Sequence, residues 1–531
     1  MSVDSLAPRT GHRKGRRTLA AFLAAATAAA AVVTGVVGGP APAQAETYGP
    51  STMYTPPADA PSPKVLYPRA ITLQNGNMLA TFEQYTTGKP VFPIFRSTDK
   101  GRTWSQISSV QDTVNGWGLR FQPELFQLPT AVGSYPAGTI LAAGNSIPND
   151  FSQTKLDVYA SRDGGASWEF VSSVARGGAA SIDNGQTPVW EPYFLVNNGR
   201  LSVFYSDQRD PAYGQKIVHQ TTTNLTSWGG VVNDVANTRY SDRPGMPIIT
   251  KLPDGRWMMT YENGGAPEGN FAVYYKFSND PENWGDKPTQ VLRTTDGIVP
   301  SSSPFVTWIP SGGPQGTIVV SAYSSSDLFL NTSGGTQDTW TRVPTQVGGG
   351  YSRSLTAMPD GRTVFIMNAG VLNGNNTVTY GAVDLGSTIT SGTTYEVANR
   401  NSGLVLGIEN ASREPGAGAL QWADNGTADH NWRFERLSNG YWKIRNQNSG
   451  LVLGVTNQSR DNGARAVQWS DNGTADHEWV ITPFPGGGFS ISNRVSGKRL
   501  EIGNASTTLG AAAIQWENTA NPCQVWVLRQ P

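Results

Sequence analysis

Ser97-Thr98-Asp99-Lys100-Gly101-Arg102-Thr103-Trp104 and Ser161-Arg162-Asp163-Gly164-Gly165-Ala166-Ser167-Trp168 share one pattern, S-x-D-x-G-x-[ST]-W, and their tryptophans stand 64 residues apart. In such a turn aspartate and serine satisfy backbone N–H groups, glycine takes the positive φ and tryptophan plugs the gap between strands. The boxes are therefore structural. Trp228, Trp284 and Trp340 continue the series at intervals of 60, 56 and 56 residues, with Ser278-Asn279-Asp280 a decayed copy and residues 222–228 a weaker one. That interval suits a four-stranded unit with its loops.

A second repeat runs out of phase with the first. Between Tyr67 and Asp384 an apolar strand, a glycine-bearing turn and another apolar strand recur six times. The first copy runs from Arg69 through Gly76 to Glu83, and later copies begin at Pro123, Glu191, Pro247, Pro304 and Ser354. Paired short strands of this kind read as hairpins. Six of them predict an all-β ring, a six-bladed propeller with no free sheet edge. The proline-rich segment 46–64 is expected to add an outer strand to the last blade.

After a polar stretch from Ser387 to Thr394 a stricter repeat starts. Trp422, Trp469 and Trp516 are spaced by 47 residues, as are Trp432, Trp479 and Trp526. Three copies predict a β-trefoil whose second tryptophan set is core. The expected organisation is a signal peptide over 1–45, the propeller over 46–386, a linker over 387–392 and the trefoil over 393–531. The leader is read from basic Arg13-Lys14-Gly15-Arg16-Arg17, an apolar run from Leu19 to Val37 and the small residues of Ala43-Gln44-Ala45. Export by the general or the twin-arginine route is expected, with no membrane association after removal of the leader.

Composition narrows the function. Lys plus Arg and Asp plus Glu both number 40, which gives no basic surface for nucleic acid or for an anionic membrane. A single cysteine, Cys523, rules out an internal disulfide framework, and with four histidines it argues against a transition-metal site. No cofactor is expected. Charged and phenolic residues at the strand ends that face a propeller channel are Arg69, Glu83, Glu124, Glu191, Asp207, Glu262, Tyr351 and Arg353. Glu191, in Pro188-Val189-Trp190-Glu191-Pro192-Tyr193, and Glu262, in Thr260-Tyr261-Glu262-Asn263-Gly264-Gly265, lie in successive blades. Two carboxylates on facing walls are what glycoside hydrolysis requires, one to protonate the leaving oxygen and one to attack or to activate water.

The boxes resemble those of sialidase-like six-bladed propellers. Tyr67-Pro68-Arg69, Thr81-Phe82-Glu83, Gly118-Leu119-Arg120-Phe121-Gln122-Pro123-Glu124-Leu125, Trp190-Glu191-Pro192-Tyr193, Arg243-Pro244-Gly245-Met246-Pro247 and Thr260-Tyr261-Glu262-Asn263 resemble the exo-1,5-α-L-arabinanases within that clan. The resemblance implies a retaining exo-glycosidase acting on linear plant arabinan and releasing a short product, arabinobiose. It implies Glu262 as nucleophile, Glu191 as acid/base and Tyr351 as the tyrosine beside the nucleophile. Substrate contacts are expected at Arg69, Glu124, Trp190 and Arg353. A sialidase, which would need three arginines for its substrate carboxylate, and a non-catalytic propeller and trefoil lectin are the alternatives. No arginine stands between Asn263 and Leu292, which counts against the first.

The C-terminal repeat resembles the ricin-B-type carbohydrate-binding trefoils, which implies a second polysaccharide contact. That family places an acid after the leucine of each copy's first strand. Only the third copy keeps it, as Glu501, so its site is expected at Glu501, Gln515, Trp516 and Gln524. Gly407 and Gly454 replace the acid in the other copies, which retain Asp429-His430 and Asp476-His477.

Overall fold

A computed structural model describes residues 47–531, and the leader expected over 1–45 lies outside them. The described residues contain no α-helix, and no helix among them is long and apolar enough to cross a membrane. Six four-stranded antiparallel sheets follow one another along the chain, and a 12-stranded sheet begins at Thr394. The fold is a six-bladed propeller followed by a trefoil.

The innermost strands of the blades are Val65–Thr72, Leu119–Gln127, Val189–Asn197, Arg243–Lys251, Phe305–Ile309 and Ser354–Ala357. Side chains alternate along a strand, and in a stack of blades both faces are covered. Val203 therefore packs toward the second blade while its neighbour Phe204 packs toward the fourth. Met258 and Met259 divide in the same way between the fifth and third blades. This two-sided burial explains why the central strands read as almost unbroken apolar runs. Leu79 with Ile140 and Ala80 with Phe365 complete the contacts around the first blade, so six apolar seams close the ring.

The seam between ends is a strand pairing. Tyr48–Tyr54 lies antiparallel to Val378–Asp384, with Tyr48 opposite Ala382, and completes the sixth blade. The tryptophans of the turn series lie between blades rather than between strands of one blade. Trp104 packs on Phe365 and Tyr380 of the sixth blade, and the Trp168 and Trp228 indoles donate to Ser108 and Ser172 of the blade before. In the first turn Asp99 accepts from the Arg102 and Thr103 backbone N–H groups and from the Thr103 hydroxyl.

In the trefoil Trp432, Trp479 and Trp526 are fully buried, and each indole donates to the carbonyl of Leu406, Leu453 or Leu500 at 2.8–3.0 Å. The domain is docked on the fifth blade. Phe484 and Val525 join the apolar seam around Ile309 and Leu328. Thr332 and Ser333 donate to the carbonyls of Ile481 and Gly440, Thr341 donates to Thr482, and Tyr441 donates to the Asp338 carbonyl.

Candidate active site

The site is built on a backbone device repeated in every blade. Tyr67, Gln122, Glu191, Met246, Ser303 and Ser352 all have φ between 43° and 61°, which is costly for residues with a Cβ. The first five immediately precede proline. Proline has no N–H to pair, and the strands slip register there, between Leu66 and Arg69, Phe121 and Glu124, Trp190 and Tyr193, and Gly245 and Ile248. A bulge of this kind re-aims a strand end.

The freed N–H groups form a relay from blade to blade. Gln122 donates to Glu83 at 2.7 Å, Glu191 to the Gln122 side chain at 3.1 Å, Met246 to Glu191 at 2.7 Å, and Ser303 to Glu262 at 2.5 Å. Ser352 donates to the Ser303 hydroxyl at 2.9 Å. Three carboxylates are thus fixed by the backbone of the following blade. The X-Pro dipeptides at the strand starts were the visible signal for this device, and reading them only as strand openings missed it.

Gln122 and Glu191 of this device, with Glu83 and Glu262, line a cavity of about 640 Å³ at the channel mouth. Its wall includes Glu83, Trp190, Glu191, Arg243, Glu262 and Tyr351. Glu191 also accepts from the Ser206 hydroxyl at 2.6 Å. Gly245 lies opposite Glu262 in the strand pair, and a Cβ there would stand 3.1 Å from the Glu191 Oε2. Burial raises the Glu191 pKa against its two donors. Burial and then the Glu191 charge push Glu262 up to about 7. Burial, followed by the charges of Glu262 and Glu191, raises Tyr351 well above the ordinary phenol range. Burial also brings Glu83 to about 7, although Gln122 and Tyr85 donate to it.

Arg243 is the only guanidinium on the described wall. It donates to the side-chain oxygens of Asn184, Gln208 and Gln215, each at 2.8 Å, and Gln208 in turn accepts from the Trp190 indole at 3.0 Å. Trp190 is tied to Arg243 through Gln208 by that chain. Glu83, which the sequence placed at the channel, and Arg243 and Gln122, which stood only within quoted motifs, are wall residues that the sequence reading gave no role in the site.

Arg69, Glu124 and Arg353, expected to hold substrate, do not line the cavity. Arg69 pairs with Glu124 at 2.9 Å, both side chains being under 8% exposed, and its guanidinium lies over Tyr67 and donates to Ser352. The pair braces the first, second and sixth blades. Arg353 is fully buried and turns its two Nη groups to the carbonyls of Ser326, Asp327, Val347 and Gly348. Asp207 is bound by Arg209 at 2.8 Å.

The trefoil also departs from expectation. Gln515 is completely buried, accepts from Ser496 and donates to the carbonyls of Ser459 and Asp461 in the second copy. Gln421 and Gln468 do the same toward the third and first copies. These glutamines fasten the copies together and have no donor left for sugar. Glu501 accepts from Gln524 at 2.7 Å, and Gln524 also donates to the Glu517 carbonyl and accepts from Thr519. Trp516 is half-buried beside them.

The first two copies are open instead. Cavities of about 490 and 400 Å³ lie there, one flanked by Trp422, Asn425, Asp429 and His430 and the other by Trp469, Asn472, Asp476 and His477. Trp422 and Trp469 are 41% and 43% exposed. A Cβ on Gly407 or Gly454 would meet the ring of His430 or His477 at 2.4 Å. Glycine is therefore required by the histidine, and the carboxylate comes from the neighbouring aspartate.

Six blades around a cavity with paired buried glutamates and a phenol define a propeller glycoside hydrolase carrying a lectin-like trefoil. The Fusarium graminearum GH93 α-L-arabinofuranosidase, solved with arabinobiose, is 44% identical over 64% of this chain and 98% of its own, with a TM-score of 0.63. The Penicillium chrysogenum α-L-arabinanase, also solved with arabinobiose, is 47% identical over 64% and 99%, with a TM-score of 0.63. The chain belongs to the GH93 family of α-L-arabinofuranosidases and arabinanases. Its C-terminal region matches the ricin-type β-trefoil lectin domain-like family over residues 384–469, 428–516 and 475–530. A curated xyloglucanase from Paenibacillus sp. is 24% identical over 239 residues, 42% of this chain, and the chain spans about a fifth (21%) of that protein's length.

Proposed function

We propose that this chain is an exported, retaining exo-enzyme that shortens α-1,5-linked arabinan and releases arabinobiose. The observation that carries the reading is the placement of Glu191 and Glu262 in one cavity with Tyr351, in a fold whose relatives were solved with arabinobiose. Glu262 attacks the anomeric carbon while Glu191 protonates the departing oxygen; Glu191 then deprotonates the water that releases the sugar. Tyr351 shares the cavity wall with both glutamates, and the assignment of Glu262 as nucleophile rests on the likeness to the exo-arabinanases. The two donors on Glu191 favour its anion and oppose that order. Bound substrate that displaces charge toward Glu262 would bring the proton to Glu191. Trapping with a fluorinated arabinofuranoside and sequencing the labelled peptide tests the roles, and label on Glu191 reverses them.

The trefoil adds a carbohydrate contact through its first and second copies, where an exposed indole and a carboxylate face one cavity. Debranched arabinan, α-2,3-sialyllactose and a no-substrate control distinguish the enzyme readings. Arabinobiose from the first alone is expected, formed with retained anomeric configuration by NMR. Release of sialic acid, or of no sugar from arabinan, overturns the proposal.

A further inference from the structure

Three aromatic rings lead out of the catalytic cavity along the rim of the first two blades. Tyr85 and Phe121 stand on the cavity wall, 6.0 Å apart between ring centroids, and Phe151 follows 6.3 Å beyond Phe121. Exposure grows outward. Tyr85 and Phe121 are half-buried, and Phe151 is 41% exposed. Arg120 covers part of the last ring at 5.0 Å and is itself anchored to Asn149.

Phe151 also has a φ of 56°, where a bulky side chain is a strong outlier. Its N–H donates to the Pro148 carbonyl, and its own carbonyl accepts from Ala180, on the cavity wall. A strained, exposed aromatic is kept at a cost that packing alone does not repay. A ring that stays 41% exposed beside Arg120 and Phe121 suits the C–H-rich face of a sugar, since stacking needs no aligned donor.

We propose that Tyr85, Phe121 and Phe151 form a stacking track for the polysaccharide beyond the cavity, with Phe151 as the outermost platform. It rests on the arabinan reading above. The chain end is inside the cavity, so a track leading outward carries the units on the leaving side of the scissile bond.

The test compares the full chain with Phe151→Ala and Phe151→Gly on debranched arabinan and on an aryl α-1,5-L-arabinobioside, which fills the cavity without the polymer beyond it. Loss of one stacking contact lowers kcat/KM on the polymer about three- to tenfold, through KM, and leaves the small substrate within about twofold. Phe151→Gly relieves the positive φ and is expected to hold or raise Tm, so a fall in its polymer activity is not a loss of fold. Equal losses on both substrates, or none on either, overturn the track alone. Wild-type protein inert on arabinan overturns the arabinan reading and the track with it.

Discussion

At the scale of single residues the cavity is governed by where protons reside. Glu262 sits near pKa 7 because burial and a neighbouring anion both disfavour its charge. Glu191 and Glu262 therefore titrate as a pair, and the upper step removes the proton that the reaction requires. kcat/KM should fall as pH rises through about 7, read from a pH–rate profile. Glu191→Gln removes the like charge, so the residual titration of Glu262, followed by NMR, should move to lower pH. Glu191→Gln and Glu262→Gln should each reduce kcat by about 10²–10⁴-fold with unchanged circular dichroism. Gly245→Ala is a subtler probe. Its Cβ would meet the Gln215 Nε2 at 2.7 Å as well as Glu191, and kcat should drop about 10²-fold through misplacement. Near-normal turnover would mean the wall can yield.

The carboxylates were legible because an acid between tryptophan and proline, or at the end of an apolar strand before a double glycine, has few structural reasons to be there. Arg69 and Glu124 were misplaced for a definite cause. The bulge inserts a residue at Tyr67 and Gln122, and with a side-chain period of two a one-residue shift sends everything after it to another face. Sequence alternation alone carries no mark of that shift. Gln515 misled for another reason: a glutamine beside a tryptophan reads identically whether its amide faces sugar or the next repeat.

At the scale of elements the trefoil separates clamp from pocket. Gln515→Ala should leave sugar binding intact but cost about 1–3 kcal/mol, because the Ser459 and Asp461 carbonyls lose a buried donor; chemical denaturation measures it. Trp422→Ala with Trp469→Ala, made in the Glu262→Gln background so that the polymer survives, should have the opposite effect, weakening retention on arabinan in affinity electrophoresis to what the propeller alone gives, at nearly unchanged stability. Retention that persists undiminished would move the contact to the third copy. The 47-residue spacing was enough to predict the trefoil and its buried tryptophans. It did not predict the two open cavities, since Asp429 and Asp476 line them from a later segment than the positions of Gly407 and Gly454 where an acid was expected.

For the whole molecule, burial links stability to pH. Glu83 and Glu262, both near 7 in the folded state against 4.5 for the ordinary glutamate, hold protons that the unfolded chain has released. The raised pKa values of these two acids contribute stability that is fully present below about 4.5 and is lost as pH climbs through about 7. Tm should accordingly fall between pH 5 and 8, and Glu83→Gln should flatten the slope in scanning calorimetry.

The pairing of Tyr48–Tyr54 with Val378–Asp384 also sets an order of events. Within the ring, the first strand of the described residues is the last to find its partner, after more than 320 residues have followed it. Until then the sixth blade is a sheet of three with an open margin, and its missing member must stay unattached while five blades assemble. Such distant pairing slows folding. Wherever the chain emerges, the period before the ring locks is when a chaperone has most to protect.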